Sequence, residues 1–163
     1  MDLPSWSLGL ALIMLTIAIH TTAVVFMALG LEAKTRVRGD THVRNWRRAI
    51  PAVIGRIGAV ALVLAALHGL QGVTWALAYW WLGGFNSFAD ASVYSLATMT
   101  TFEIPGVTLP SRLRMLGALE AVNGALLFGI STAFLFAVIQ VHWKLLSQRQ
   151  DRSSEQDEHE SDE

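Results

Sequence analysis

The chain has 163 residues, of which 53% are hydrophobic and 15% are charged, and it contains no cysteine. Such an apolar composition excludes an ordinary soluble domain of this size and indicates a membrane protein. Without cysteine there is no disulfide framework, no thiolate metal site and no cysteine nucleophile. The formal net charge of -1 conceals a basic segment at residues 34–56 and an acidic C-terminus.

Three long apolar runs, at residues 7–31, 57–83 and 113–143, predict three transmembrane helices. Each run exceeds the roughly 20 residues that a helix needs to cross the hydrocarbon core. The second run ends in an aromatic cluster that is typical of a membrane interface, formed by Trp75, Tyr79, Trp80 and Trp81. Gly83 and Gly84 follow and are expected to end that helix.

The chain is interrupted between the second and third runs. About twelve residues of helical character, at 89–100, are too few to cross a bilayer. Ser87 and Asp90 resemble a capping box that would open a short helix there. The irregular segment "TTFEIPG" follows at residues 100–106. Non-helical backbone at membrane depth survives only where it is buried in protein or lines a water-filled cavity, so we expect a re-entrant loop.

One such loop with its flanking helices cannot enclose a channel. A ring of identical subunits around an axis through the loop would complete it. Basic residues concentrate between the first and second runs. The positive-inside rule therefore places the N-terminus outside and the C-terminus in the cytoplasm of a multi-pass protein of the plasma (inner) membrane.

Residues 88–140, "FADASVYSLATMTTFEIPGVTLPSRLRMLGALEAVNGALLFGISTAFLFAVIQ", resemble the pore module of the bacterial potassium-channel superfamily. The resemblance extends over about residues 57–143. It implies an all-α homotetramer whose subunit has an outer helix, a re-entrant pore helix, a filter loop at the extracellular end and an inner helix. An additional transmembrane helix would precede this module.

The resulting organisation has four parts. Residues 1–33 form the N-terminal transmembrane helix, and residues 34–56 form a basic cytoplasmic loop and interfacial segment that contacts anionic lipid. Residues 57–145 form the pore module. Residues 146–163 are polar, acidic and without aromatic residues, and we expect a disordered cytoplasmic tail.

The filter departs from the family pattern T-x-T-T-x-G-Y-G-D. The corresponding segment here consists of Thr98, Met99, Thr100, Thr101, Phe102, Glu103, Ile104, Pro105 and Gly106. Glycines in the potassium filter allow positive φ, so that consecutive carbonyl groups point at the ion. Pro105 is fixed near φ of about -65° and cannot adopt that conformation. A complete stack of carbonyl sites, and strict potassium selectivity, are therefore not expected.

Four copies of Glu103 around an axis would form a ring of carboxylates that attracts cations. The ring is the candidate site for a permeating metal ion, Na⁺, K⁺ or Ca²⁺, with Thr100 and Thr101 forming an inner site. We expect weak selectivity among monovalent cations, with calcium either permeating or blocking. Alternatively, Glu103 points behind the filter and pairs with Arg112 or the pore-helix amides.

Glu120 and Asn123 lie three residues apart on the predicted inner helix and share one face. A buried hydrogen bond that braces the filter is favoured over contact with ions. Gly124 and Gly129 either hinge this helix or allow close packing. Thr132 and Phe136 either line the inner cavity, with Phe136 as a constriction, or pack against lipid and protein.

His20 and His68 are isolated in apolar runs, and a packing role is favoured over proton sensing. The chain has no recognisable motif for catalysis, a cofactor or nucleic acid, and an enzyme or carrier is disfavoured. Two alternatives to a cation channel stay open. One is a non-conducting, pore-like membrane subunit, and the other is a potassium channel with an unusual filter.

Overall fold

A computed structural model describes the backbone of residues 3–38 and 46–161 and the side chains of residues 5–31 and 51–143. All regular secondary structure in these parts is helical. The elements are α1 (Leu3–Arg38), α2 (Trp46–Trp81), α3 (Phe88–Met99), a short 3₁₀ turn (Ser111–Leu113) and α4 (Arg114–Ser161). The predicted all-α class is confirmed for the described residues.

Three of these helices are long and apolar enough to span a membrane. The spans are Ser5–Leu31 in α1, Pro51–Trp81 in α2, and Ser111–Trp143 in the 3₁₀ turn and α4. They coincide with the three apolar runs, so the prediction of three helices long and apolar enough to cross a membrane is confirmed. α1 packs against α4 and α2, and is therefore part of the bundle.

The helices extend beyond the apolar runs at their polar ends. α1 continues to Arg38 and α2 begins at Trp46, so much of the basic segment is helical, while residues 39–45 lie outside the described residues. α4 continues to Ser161, through most of the segment for which the composition predicted disorder. That segment contains no proline or glycine and is rich in Gln, Glu and Arg, which have high helix propensity.

α2 ends in a Schellman motif centred on Gly83. The Gly84 amide donates to the Tyr79 carbonyl at 2.8 Å, the Gly83 amide donates to the Trp80 carbonyl at 3.1 Å, and Gly83 has φ of 67°. This pair of bonds and the positive φ define the motif. The predicted stop at this glycine is confirmed, because glycine adopts a left-handed conformation without steric cost.

The aromatic cluster at the end of α2 divides into two pairs. Trp80 and Trp81 are exposed, as a membrane-interface belt requires. Trp75 and Tyr79 are fully buried, with Ala91 of α3 and Leu116 of α4 in the same core. The prediction that all four residues form a belt is therefore wrong. Trp75 and Tyr79 lie four residues apart on the face of α2 that α3 and α4 cover.

α3 begins at the predicted cap and folds back between α2 and α4. The Asp90 amide donates to Ser87 Oγ at 3.1 Å, and Ser87 Oγ donates to the Asp90 carboxylate at 2.7 Å. Near the middle of α3, Ser95 Oγ donates to the Gly72 carbonyl at 2.8 Å. Gly72 precedes the end of α2 by about nine residues, or roughly 14 Å of helix. α3 therefore lies beside the interior of the second span, at the level of Gly72.

Gly124 of α4 allows the C-terminal end of α3 to approach closely. A Cβ atom at Gly124 would lie 2.8 Å from both the Cα and the carbonyl carbon of Met99, which is closer than any allowed contact. The obstacle is backbone, so a rotamer change cannot relieve it. Of the two roles considered for Gly124, the geometry favours close packing. A Cβ at Gly129 would meet no atom within 4 Å.

Gly124→Ala is expected to displace α3 and to destabilise the fold by about 1–3 kcal/mol, because the added methyl group overpacks the contact with Met99. Gly129→Ala is the matched control on the same helix, and it should leave stability unchanged or slightly raised. Thermal unfolding of both variants in detergent, followed by circular dichroism, measures the difference. Equal melting temperatures for the two variants would contradict the close packing of Gly124.

Candidate functional site

The C-terminus of α3 is closed by a second Schellman motif, with a threonine in the glycine position. The Phe102 amide donates to the Ala97 carbonyl at 2.8 Å and the Thr101 amide donates to the Thr98 carbonyl at 2.9 Å. Thr101 has φ of 57° and is the one non-glycine residue with positive φ among the described residues. A left-handed conformation is unfavourable for a β-branched side chain. Such strain is concentrated at functional sites.

The chain then turns before it reaches α4. The Val107 amide donates to the Ile104 carbonyl at 3.2 Å, and Gly106 has φ of 81°. Pro105 and Gly106 thus occupy the two central positions of a β-turn, as type II geometry prefers. This turn engages the Ile104 carbonyl within the chain. The segment is consequently not the extended run of free carbonyl groups that a potassium filter uses, which agrees with the expectation drawn from Pro105.

The residues that follow α3 are accessible. Thr100, Thr101, Phe102 and Glu103 are all exposed. The Thr100 hydroxyl donates back to the helix, to the Ala97 carbonyl at 2.9 Å and to that of Leu96 at 3.1 Å. A cavity of about 500 Å³ lies beside this segment, and its lining includes Tyr94, Thr98, Thr101, Glu103, Arg114 and Gly117.

Arg112 contacts the end of α2, whereas one interpretation of Glu103 required Arg112 to pair with it. Its guanidinium donates to the carbonyl groups of Leu82 at 3.1 Å and Gly83 at 3.2 Å. A cation at the C-terminus of a helix satisfies carbonyl groups that lack intrahelical donors. Arg112 therefore caps α2 and fixes the start of α4 against it. Arg114, two residues later, is the arginine that lines the cavity with Glu103.

Glu120 joins the three helices around the site. Its side chain is fully buried. One carboxyl oxygen, Oε2, accepts from the Tyr79 hydroxyl of α2 at 2.6 Å, and the other, Oε1, is in hydrogen-bond contact with Ser95 Oγ of α3. The residue braces α3 from behind, which is the role that sequence reasoning favoured.

The protons of this network can be counted. Ser95 Oγ also contacts the Gly72 carbonyl at 2.8 Å, and a carbonyl can only accept. Ser95 has one hydroxyl proton, so if it donates that proton to Gly72 it must accept from Glu120. The network is therefore fully satisfied when Glu120 is protonated on Oε1. A neutral carboxylic acid also avoids the large cost of a buried charge.

Asn123 stabilises a different part of the bundle. Its Nδ2 donates to Thr16 Oγ1 of α1 at 2.9 Å, and both side chains are fully buried. Asn123 thus attaches α1 to α4 and does not contact α3 through this bond, contrary to the expected filter support.

Further along α4, Gly129, Thr132 and Phe136 are exposed. In a single chain they are free to face lipid, a cavity or another copy.

Sequence reasoning missed several polar residues that the fold brings together. Tyr79 and Ser95 are the partners of Glu120. The sequence predicted Tyr79 only as part of an aromatic belt, and it did not indicate Ser95. His20, His68, Gln71 and Ser131 form a separate polar cluster between α1, α2 and α4. The spacing of His68 and Gln71, three residues apart on one helix face, was a usable signal for that cluster.

The described residues contain no group of three or more His, Cys, Asp or Glu side chains placed to hold a metal ion. No protein-family model, curated protein or solved structure matches the chain.

Thr101→Gly is expected to stabilise the fold by about 0.5–1 kcal/mol, since it removes left-handed strain and adds only the entropy cost of glycine. Gly83→Ala is the matched control at the same position of the other Schellman motif. It should destabilise by about 1 kcal/mol, because a Cβ there enters the left-handed region while its nearest neighbour is Arg112 Nη2 at 3.7 Å. Thermal unfolding in detergent compares the two. A loss of stability in Thr101→Gly would show that the threonine side chain contributes more than its strain costs.

Glu120→Gln should retain stability to within about 1 kcal/mol, because the amide can donate to Ser95 and accept from Tyr79 as the protonated acid does. Glu120→Ala leaves the Tyr79 hydroxyl buried without a partner and should cost about 2 kcal/mol or more. Denaturant unfolding in mild detergent distinguishes the two. If Glu120→Gln is as unstable as Glu120→Ala, the carboxyl group is ionised in the folded protein.

Proposed function

We propose that the chain is the subunit of a homotetrameric cation channel, with α3 as a re-entrant pore helix and residues 100–106 as an acidic filter. The observation that carries the proposal is the position of α3. It follows α2, packs against Gly72 and Gly124, which lie inside the second and third spans, and is followed by an exposed polar segment. The resemblance to the potassium-channel superfamily supports the same arrangement.

The exposure of the polar segment in the single chain argues for assembly. Thr100, Thr101 and Glu103 are exposed in the single chain. Polar side chains and irregular backbone do not face hydrocarbon, and they are tolerated where protein covers them or water reaches them. Further copies of the chain around a central axis provide both conditions. A closed ring of four also repeats each filter residue once per subunit.

The charge of the filter selects for cations. Four Glu103 carboxylates in a ring would attract cations and repel anions. A divalent ion relieves the mutual repulsion of the carboxylates best, so calcium either permeates or blocks. Because the Ile104 carbonyl is engaged in the Pro105–Gly106 turn, the segment does not form the continuous stack of carbonyl groups that replaces the hydration shell of potassium. Sodium and potassium are therefore poorly distinguished.

Orientation follows from the basic residues. Seven of the twelve Lys and Arg residues lie at 34–56, between the first and second apolar runs, which favours a cytoplasmic position for that segment, next to anionic lipid. The N-terminus is then outside, the C-terminus is in the cytoplasm, and the filter opens to the exterior. In a bacterial cell this topology corresponds to the plasma (inner) membrane.

A second candidate is a pore-like subunit that does not conduct. Two observations favour it. The Thr100 hydroxyl is bonded back to the Leu96 and Ala97 carbonyls, and the Pro105–Gly106 turn interrupts the segment where a potassium filter is extended. Such a subunit would use the same fold to associate with another membrane protein.

Flux measurements on purified protein in liposomes, with potassium, sodium and calcium in turn, separate the candidates. We expect potassium and sodium to pass with little discrimination, and Glu103→Gln to reduce flux several-fold or to abolish calcium block. Asp90→Asn is the matched control, because Asp90 is also exposed but lies at the opposite end of α3 and keeps its cap as asparagine.

Two results would overturn the channel proposal as stated. Absence of flux under every ionic condition, from protein shown to be tetrameric in the liposomes, would favour the non-conducting subunit. A strongly potassium-selective flux that Glu103→Gln leaves unchanged would show that the carboxylate ring is not the filter.

A further inference from the structure

A polar cluster lies in the middle of the three apolar spans, formed by residues other than those of the proposed filter. It consists of His20 of α1, His68 and Gln71 of α2, and Ser131 of α4. His20, Gln71 and Ser131 are at most 7% exposed. Each residue lies close to the midpoint of its span, so the cluster is near the bilayer midplane. Ionisable residues at this depth are expensive and mark functional sites by default.

The hydrogen bonds of the cluster determine where its protons are. Gln71 Nε2 faces the Thr16 carbonyl at 3.4 Å and His20 Nδ1 at 3.0 Å. A carbonyl accepts, so the amide nitrogen is the donor and His20 Nδ1 is unprotonated. His20 Nε2–H then donates to Ser131 Oγ at 2.9 Å, and the Ser131 hydroxyl donates to His68 Nε2 at 3.1 Å. In this arrangement of protons the two histidines are neutral and connected through one serine.

The cluster contains an acceptor that the neutral arrangement does not use. Gln71 Oε1 is buried and lacks a hydrogen-bond partner. A proton added to His20 Nδ1 would face the Gln71 amide nitrogen, which cannot accept it. Rotation of the Gln71 amide by about 180° exchanges its two ends and places Oε1 opposite that proton. The rotation breaks the 3.4 Å contact between Gln71 Nε2 and the Thr16 carbonyl, and the other hydrogen bonds of the cluster persist.

The geometry allows one proton and opposes a second. The His20 and His68 rings are 5.2 Å apart, and two positive charges at this distance away from bulk water repel strongly. A proton on His68 Nε2 would also displace the Ser131 hydroxyl that donates to it. The His68 ring stacks on Phe128 at 4.2 Å, and its Nδ1 atom is buried without a partner. His20 is therefore the better position for the added proton.

The other described titratable groups are distant. His68 faces His20 from α2, and Ser131, which does not titrate, faces it from α4. Along α4 the next titratable residues are Glu120 and His142, each about eleven residues from Ser131, or roughly 16 Å of helix. His142 Nδ1 is bonded to the Val138 carbonyl of its own helix. The protonation of the pair is consequently governed by the cluster itself.

We propose that His20, His68, Gln71 and Ser131 form a proton-binding site within the membrane, which takes up one proton for the pair. The bound proton is held by His20, with Gln71 and Ser131 as its acceptors. Because these residues belong to α1, α2 and α4, uptake places a positive charge where all three spans meet, and it replaces the Gln71–Thr16 contact between α2 and α1. This site does not depend on the proposed channel activity.

Nuclear magnetic resonance of the folded protein, labelled with ¹³C in its histidine rings and held in detergent micelles, tests the proposal. The chain has five histidines, and single His→Gln variants assign their signals. Over about pH 4–9, which brackets the ordinary histidine pKa, the His20 and His68 signals should change together in one step that accounts for one proton. Two full and independent steps would overturn the proposal. So would the absence of any change in either signal while circular dichroism shows intact helices.

Variants test the two acceptors separately. Gln71→Glu places a carboxylate of the same shape beside His20 and should move the shared step to higher pH by about one unit or more. Ser131→Ala removes the connecting hydroxyl and should separate the two signals into different steps. Thr22→Ala, an exposed position on α1, is the control and should change neither. An unshifted step in correctly folded Gln71→Glu would show that Gln71 does not contact the bound proton.

Discussion

The buried carboxyl group of Glu120 is the contact on which the arrangement of this protein depends. It accepts from Tyr79 of α2 and contacts Ser95 of α3, and Ser95 in turn donates to the Gly72 backbone. A helix of 12 residues is too short to be held across a membrane by its length or by interfacial anchors at both ends. The hydrogen bonds to Glu120 supply that restraint, and they satisfy polar groups that lipid could not.

The two Schellman motifs differ in the residue that occupies the left-handed position. α2 ends with Gly83 in the left-handed position, which glycine adopts without steric cost. α3 ends with the same pair of hydrogen bonds but with Thr101 in that position. A glycine there would make the same turn without strain. The strained threonine lies at the place where the proposed filter begins.

Polar contacts also hold α1 in the bundle. Between transmembrane helices there is little hydrophobic driving force, because lipid is as apolar as the side chains, so packing and hydrogen bonds decide which helices associate. Thr16 pairs with Asn123, and His20 pairs with Gln71 and Ser131. The first span is thereby attached to both of the other spans. It is an integral part of the fold, and its histidine contributes half of the proposed proton site.

The sequence by itself determined the features that depend on local chemistry. Three apolar runs fixed the three spans, Ser87 and Asp90 fixed the start of α3, Gly83 fixed the end of α2, and proline at position 105 excluded an extended glycine filter. Each follows from hydrophobic length, capping or backbone conformation, which neighbouring residues decide.

The tertiary structure alone decided the partners of the buried polar groups. Glu120 and Asn123 share a helix face, yet one contacts α2 and α3 and the other contacts α1, and His20 meets His68 from a different helix. Such contacts join residues far apart in the chain, and no local pattern specifies them, because they depend on which helix covers each face once the bundle has packed.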